Sequence, residues 1–113
     1  MIMTLPSWLT DGVYRLGFAR RPQLQAVEVD QAPAVSELMD GELYVEIRSG
    51  HLKWVHFRCP LCGEHIQLPM AGKERWRLSF DWLRRPTLMP SIWEEDTCGA
   101  HFFVRRGQIL WCG

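Results

Sequence analysis

No apolar run in this chain approaches the ~18 residues of a membrane span, so no membrane insertion is expected. A block of basic charge is also missing. The 113 residues carry 13 basic and 13 acidic groups, for a net charge of zero. Residues 1–50 hold four basic and seven acidic side chains, and residues 51–113 hold nine and six. That asymmetry is too weak for the phosphate neutralisation that drives nucleic-acid binding, so nucleic acid is not an expected partner. Met1-Ile2-Met3-Thr4 is too short and uncharged for a signal peptide, and the chain carries no internal repeat or low-complexity tract. The first half has no cysteine. The expected compartment is the cytoplasm. There, four cysteines point to metal or thiol chemistry before disulfides.

What is present is a foldable composition, 47% hydrophobic with six tryptophans. The length suits one domain, residues 1–113, with a modest core. Cys59-Pro60-Leu61-Cys62 is a C-x2-C turn, which can aim two thiolates at one tetrahedral ion. Cys98 follows 36 positions later, and Cys112 is one residue from the C-terminus. Two ligand sets compete. One is Cys59, Cys62, Cys98 and Cys112; the other replaces Cys112 with His101, because Cys98-Gly99-Ala100-His101 is itself a C-x2-H knuckle. Zinc accepts both. The four-thiolate set is preferred because a terminal hairpin would bring Cys98 and Cys112 together. A closed site of this kind is structural and does no chemistry.

The rest reads as a small, mostly antiparallel β domain of hairpins with at most one short helix. Val13 to Phe18 alternate and suggest a short strand after the turn at Asp11-Gly12. Leu24 to Val29 alternate as well, and Pro33 to Met39 fit one or two helical turns. Residues 1–39 are expected to be an extension ahead of a zinc-stabilised core at 40–113. In Glu42–Arg48, Leu43, Val45 and Ile47 share one face, and Glu42, Glu46 and Arg48 the other. Ser49-Gly50 turns this strand back into Leu52–Arg58, which delivers the chain to Cys59. His65–Pro69 is the return strand, with Gly63 supplying the turn's freedom. Arg75 to Trp82 alternate. Pro86 and Pro90 preclude a helix through 84–93. Ala100–Val104 and Gln108–Cys112 flank a turn at Arg105-Arg106-Gly107.

With four cysteine ligands, His101 is free. Ser91 lies ten residues upstream in the constrained Pro90-Ser91-Ile92. A serine becomes a nucleophile only beside a base, and His101 is the candidate for that base. His56, three residues before the first cysteine, is a second candidate participant. Asp81, Glu94, Glu95 and Asp96 are possible orienting carboxylates, and the sequence does not choose among them.

His56-Phe-Arg-Cys59-Pro-Leu-Cys62-Gly, Leu68-Pro69, Trp76, Pro86-Thr-Leu-Met-Pro-Ser91-Ile92, Cys98-Gly-Ala-His101-Phe-Phe and Gly107-Gln-Ile-Leu-Trp-Cys112 together resemble a small family of bacteria and phages. Its members occur in Bub-type operons of ubiquitin-like conjugation, beside E1-like, E2-like and ubiquitin-like proteins. The resemblance covers residues 40–113. It implies a zinc-stabilised, peptidase-like (deubiquitinase-like) protein with serine-protease chemistry that acts on ubiquitin-like precursors or conjugates. By position, Ser91, His101 and His56 fall on the family's motif residues. An exposed tryptophan among Trp54, Trp76, Trp82 and Trp93 would then wall the substrate groove.

Three rival readings stand beside this one. A non-enzymatic zinc module, adaptor- or ligase-like, would leave Ser91 dispensable. A catalytic zinc would need an open ligand position and a base such as Glu94 or Glu95, whereas three or four cysteines around one ion usually mean structure. Single-stranded nucleic-acid binding through Arg84-Arg85 and Arg105-Arg106 is disfavoured by the zero net charge.

Overall fold

A computed structural model describes residues 7–112. Eight strands form two four-stranded sheets. The first has the order β1-β2-β3-β4: β1 Gln25–Val29, β2 Glu42–Arg48, β3 His51–Arg58 and β4 His65–Pro69. The second has the order β5-β6-β7-β8: β5 Arg77–Phe80, β6 Pro86–Trp93, β7 His101–Arg105 and β8 Gln108–Trp111. Every pairing is antiparallel except β1 with β2, which run parallel. The mostly β architecture, the hairpins and the single short α-helix match the sequence reading.

The helix lies where a strand was expected. Ser7–Arg15 is α-helical (α1), so Val13 and Tyr14 belong to a helix rather than to an alternating strand. Local partners hold it. Asp11 pairs with Arg21 at 3.4 Å, and the Arg21 guanidinium lies 4.9 Å from the centre of the Tyr14 ring. Pro33 to Met39 form a single 3-10 turn, Val35–Glu37.

The sheets share one core. Leu43, Val45, Val55, Phe57, Ile66 and Leu68 of the first sheet pack with Leu88, Ile92, Phe102 and Val104 of the second. Phe57 meets Phe102 edge-on at 6.2 Å. Because side chains alternate along a strand, these positions fix what points outward. His56, Tyr44 and Glu46 lie on the outer face of the first sheet. Ser91, Trp93 and His101 lie on the outer face of the second.

A parallel pair needs a crossover, and residues 30–41 provide it across the first sheet's outer face. Arg58 pins it, donating to the carbonyls of Leu38 at 2.8 Å and Val35 at 2.9 Å. The Tyr44 hydroxyl accepts from the Met39 amide at 3.1 Å.

Residues 20–29, expected to precede the core, are bonded into both sheets. The Gln23 and Leu24 amides both donate to the Gly107 carbonyl, at 2.8 and 2.9 Å. Gly107 has φ +74°, and a Cβ there would collide with the Pro22 side chain and sit 2.9 Å from the Leu24 carbonyl. Gly107→Ala is expected to destabilise the fold by about 2–4 kcal/mol, combining overpacking with left-handed strain. A lowered urea midpoint would register it.

Candidate functional site

The second sheet's outer face carries the first cluster. In β6, Leu88 pairs with Val104 and Ile92 with Phe102, and the register shifts between them. Four steps along β6 therefore match two along β7. Such bulges re-aim side chains, and this one sets Ser91 beside the start of β7. Ser91 Oγ lies 2.9 Å from His101 Nε2. With Nε2 unprotonated, the hydroxyl donates to it, which is the contact a serine nucleophile needs with its base. Trp93 pairs with His101 across the strands, and their rings stack at 5.3 Å with 23° between planes. Among the described residues, no side chain hydrogen-bonds His101 Nδ1. Asp81 is instead taken up by Arg85 at 2.6 Å and by two backbone amides, and Glu94 accepts from Thr97.

A cleft of about 410 Å³ opens beside His101, lined by Leu61, Trp93, Gly99, Ala100, Trp111 and Cys112 as well. Trp93 and Trp111 are 57% and 53% exposed. Among the described residues, no Asp, Glu, Lys or Arg lines it.

The second cluster joins the sheets. The first knuckle closes through Gly63 N–H to the Cys59 carbonyl at 2.9 Å, with Gly63 at φ +79°. The Leu61 amide donates to Cys59 Sγ at 3.4 Å. Glu94 and Ala100 close the loop that carries Cys98. The thiols of Cys59, Cys62 and Cys98 all lie within 4.8 Å of one another, and Cys59 and Cys98 are 3.6 Å apart. The Ala100 amide, then the Cys62 thiol, hold Cys98 below the usual thiol range. For Cys62 the Glu64 amide pulls downward, but contacts with Cys98 and Cys59, burial and the Cys59 charge outweigh it and push the thiol up to about 11. This donor set could hold a metal ion. His101 is not in this group.

Neither is Cys112. Its amide donates to the His101 carbonyl at 2.9 Å, so the terminal hairpin sets it opposite His101, three residues past Cys98. It lines the cleft instead.

His56 is not brought to Ser91 or His101. Val55 and Phe57 take the core, so His56 faces the other way on the other sheet. It is fully buried, with Nε2 2.8 Å from Glu46 Oε1 and Nδ1 3.1 Å from His65 Nε2. Arg48 donates to the other Glu46 oxygen at 3.0 Å. An ionised Glu46 only accepts, which places the His56 proton on Nε2 and leaves Nδ1 to accept from His65. Glu46→Ala leaves the buried His56 Nε2–H without its acceptor. It is therefore expected to cost about 1–3 kcal/mol, read by chemical denaturation. Burial, then His56 and Arg58, lower the His65 pKa from its ordinary 6.5. The unfolded chain then binds more protons there than the folded one. Stability is expected to fall as pH drops from 6.5 toward the folded-state pKa. His65→Gln should flatten that limb of a melting-temperature profile against pH.

Sequence reasoning missed Glu46, His65 and Trp111. Glu46 looked solvent-facing because alternation says nothing of the crossover that covers its face.

The family model described as "Bacterial ubiquitination-like system serine protease (BubE)" matches residues 28–112. The chain belongs to the BubE family. No curated protein and no solved structure matches it. The BubE match spans both clusters and the Glu46–His56–His65 row, in which Glu46 and His56 are buried. The family's description, a serine protease of a bacterial ubiquitination-like system, agrees with the resemblance read from the motifs. No helix among the described residues is long and apolar enough to cross a membrane.

Proposed function

We propose that this chain is a zinc-stabilised serine hydrolase of the cytoplasm that cleaves ubiquitin-like precursors or conjugates, with Ser91 as nucleophile and His101 as its base. The observation that carries the reading is the 2.9 Å contact between Ser91 Oγ and His101 Nε2 on an open face, in a chain of a serine-protease family. His101 takes the hydroxyl proton as Ser91 Oγ attacks the carbonyl carbon at the end of the ubiquitin-like chain. The tetrahedral intermediate collapses, and His101 returns that proton to the leaving amine. Water then enters and gives a proton to His101 as its oxygen attacks the acyl carbon; His101 returns that proton to Ser91 Oγ as the acyl–oxygen bond breaks and the carboxylic acid leaves. His56 is assigned a stabilising role in the first sheet, not a step in this sequence.

Cys59, Cys62 and Cys98 would hold the zinc, with Cys112 as the proposed fourth ligand, reached by a movement of the chain end. The ion's contribution is to fasten the two sheets. Cys112→Ser should then lower zinc stoichiometry below one per chain, while retained stoichiometric zinc would remove Cys112 from the set.

The function is tested with a ubiquitin-like protein carrying a fluorogenic amide on its terminal carboxyl. Release of the fluorophore by wild type and not by His101→Ala supports the reading. Binding of the ubiquitin-like protein without any release, equal in both, favours the non-enzymatic module instead. The exposed Trp93, Trp111 and Leu61 are the observation that keeps that module in view.

A further inference from the structure

We propose that Trp93 is the positioning residue for His101, filling with its indole face the role that an orienting carboxylate plays at Nδ1 in other Ser-His sites. This inference rests on the Ser91–His101 reading and deepens it.

Three observations combine. No described side chain hydrogen-bonds His101 Nδ1, so the imidazole lacks the usual polar hold on its far edge. The Trp93 ring lies against it at 5.3 Å and 23°, from a register partner on the adjacent strand. Trp93 is nevertheless 57% exposed, so the core does not dictate a tryptophan here. An offset ring stack restricts the two side-chain torsions that aim Nε2 at Ser91. The same π face also favours the imidazolium that forms when His101 holds the Ser91 proton. The strand pairing fixes Trp93 itself: Ile92 is anchored in the core beside it and pairs with Phe102.

The alternative role for Trp93 is a wall of the substrate cleft, and the two roles separate experimentally. The test compares wild type, Trp93→Leu and Trp93→Phe, with melting temperature and zinc content checked in each. Two readouts are taken. One is the labelling rate with a small fluorophosphonate, which needs an activated Ser91 and little of the cleft. The other is kcat and KM for the fluorogenic ubiquitin-like substrate.

Positioning predicts that Trp93→Leu slows labelling and kcat together by about 10–100-fold, as a slightly misaimed base does. KM should hold, and Trp93→Phe should recover to within roughly tenfold of wild type, the worth of one aromatic pair. An unchanged labelling rate with raised KM would overturn the proposal and leave Trp93 as a cleft wall. Equal loss in the Leu and Phe variants would also overturn it, because the stack would not be the active ingredient. If wild type itself takes no label, the Ser91–His101 reading fails first, and that failure is distinct from these.

Discussion

Ser91→Ala is expected to abolish hydrolysis of a ubiquitin-like substrate while the protein stays folded. Loss of a serine nucleophile costs on the order of 10⁴–10⁶ in kcat. The structural cost is small by comparison. Ser91 is half-buried, and its side-chain hydrogen bond is the one to His101, worth about 1 kcal/mol to stability. His101→Ala should come close to the same loss, since the two groups act as a unit and their effects do not add. The double variant should be no worse than Ser91→Ala alone. Steady-state rates of the three variants, taken with their thermal melts, check this. Activity surviving in Ser91→Ala would mean that another group attacks.

The second large effect concerns the metal. Cys59 and Cys62 follow β3 of the first sheet, and Cys98 precedes β7 of the second. An ion held by the three would tie the two sheets together, as the Gln23 and Leu24 contacts with Gly107 also do. Structural zinc contributes roughly 10 kcal/mol or more to folding in small domains, against total stabilities of about 5–15 kcal/mol. Chelation, or Cys98→Ser, should therefore unfold the domain or leave it without a cooperative melt. Adding zinc back should restore the chelated protein, and magnesium should not, because thiolates select soft ions. A cooperative melt that survives complete chelation would show that the shared hydrophobic core suffices alone.

Most strands of the second half were legible because alternation and turn glycines agree there, but β6, Pro86–Trp93, was not read as a strand, since its two prolines said only that no helix runs through it. Glu42–Arg48 and His65–Pro69 were read with the bounds they have in the structure. Residues 13–18 were not, because their alternation over six positions mimics a strand, and the helix is held by contacts with Arg21 that no local pattern announces. The Ser91–His101 pairing was half legible. Two residues ten apart, on either side of a loop, suggested a meeting, but only the register shift in β6 makes it. Cys98 joining the C-x2-C turn was readable from type and spacing. Whether Cys112 would join was not, since one residue of hairpin register decides which side chain stands opposite His101. The burial of His56 was hidden for another reason: it depends on the β1–β2 crossover, a long-range feature carried by residues 30–41.

The most direct test is to treat the zinc-loaded protein with a fluorophosphonate and map the adduct by peptide mass. The account predicts one adduct per chain, on Ser91, present in wild type and lost in His101→Ala although the serine remains. A folded, zinc-bound wild type that takes no label, or takes it at another residue, would contradict the claim that His101 activates Ser91.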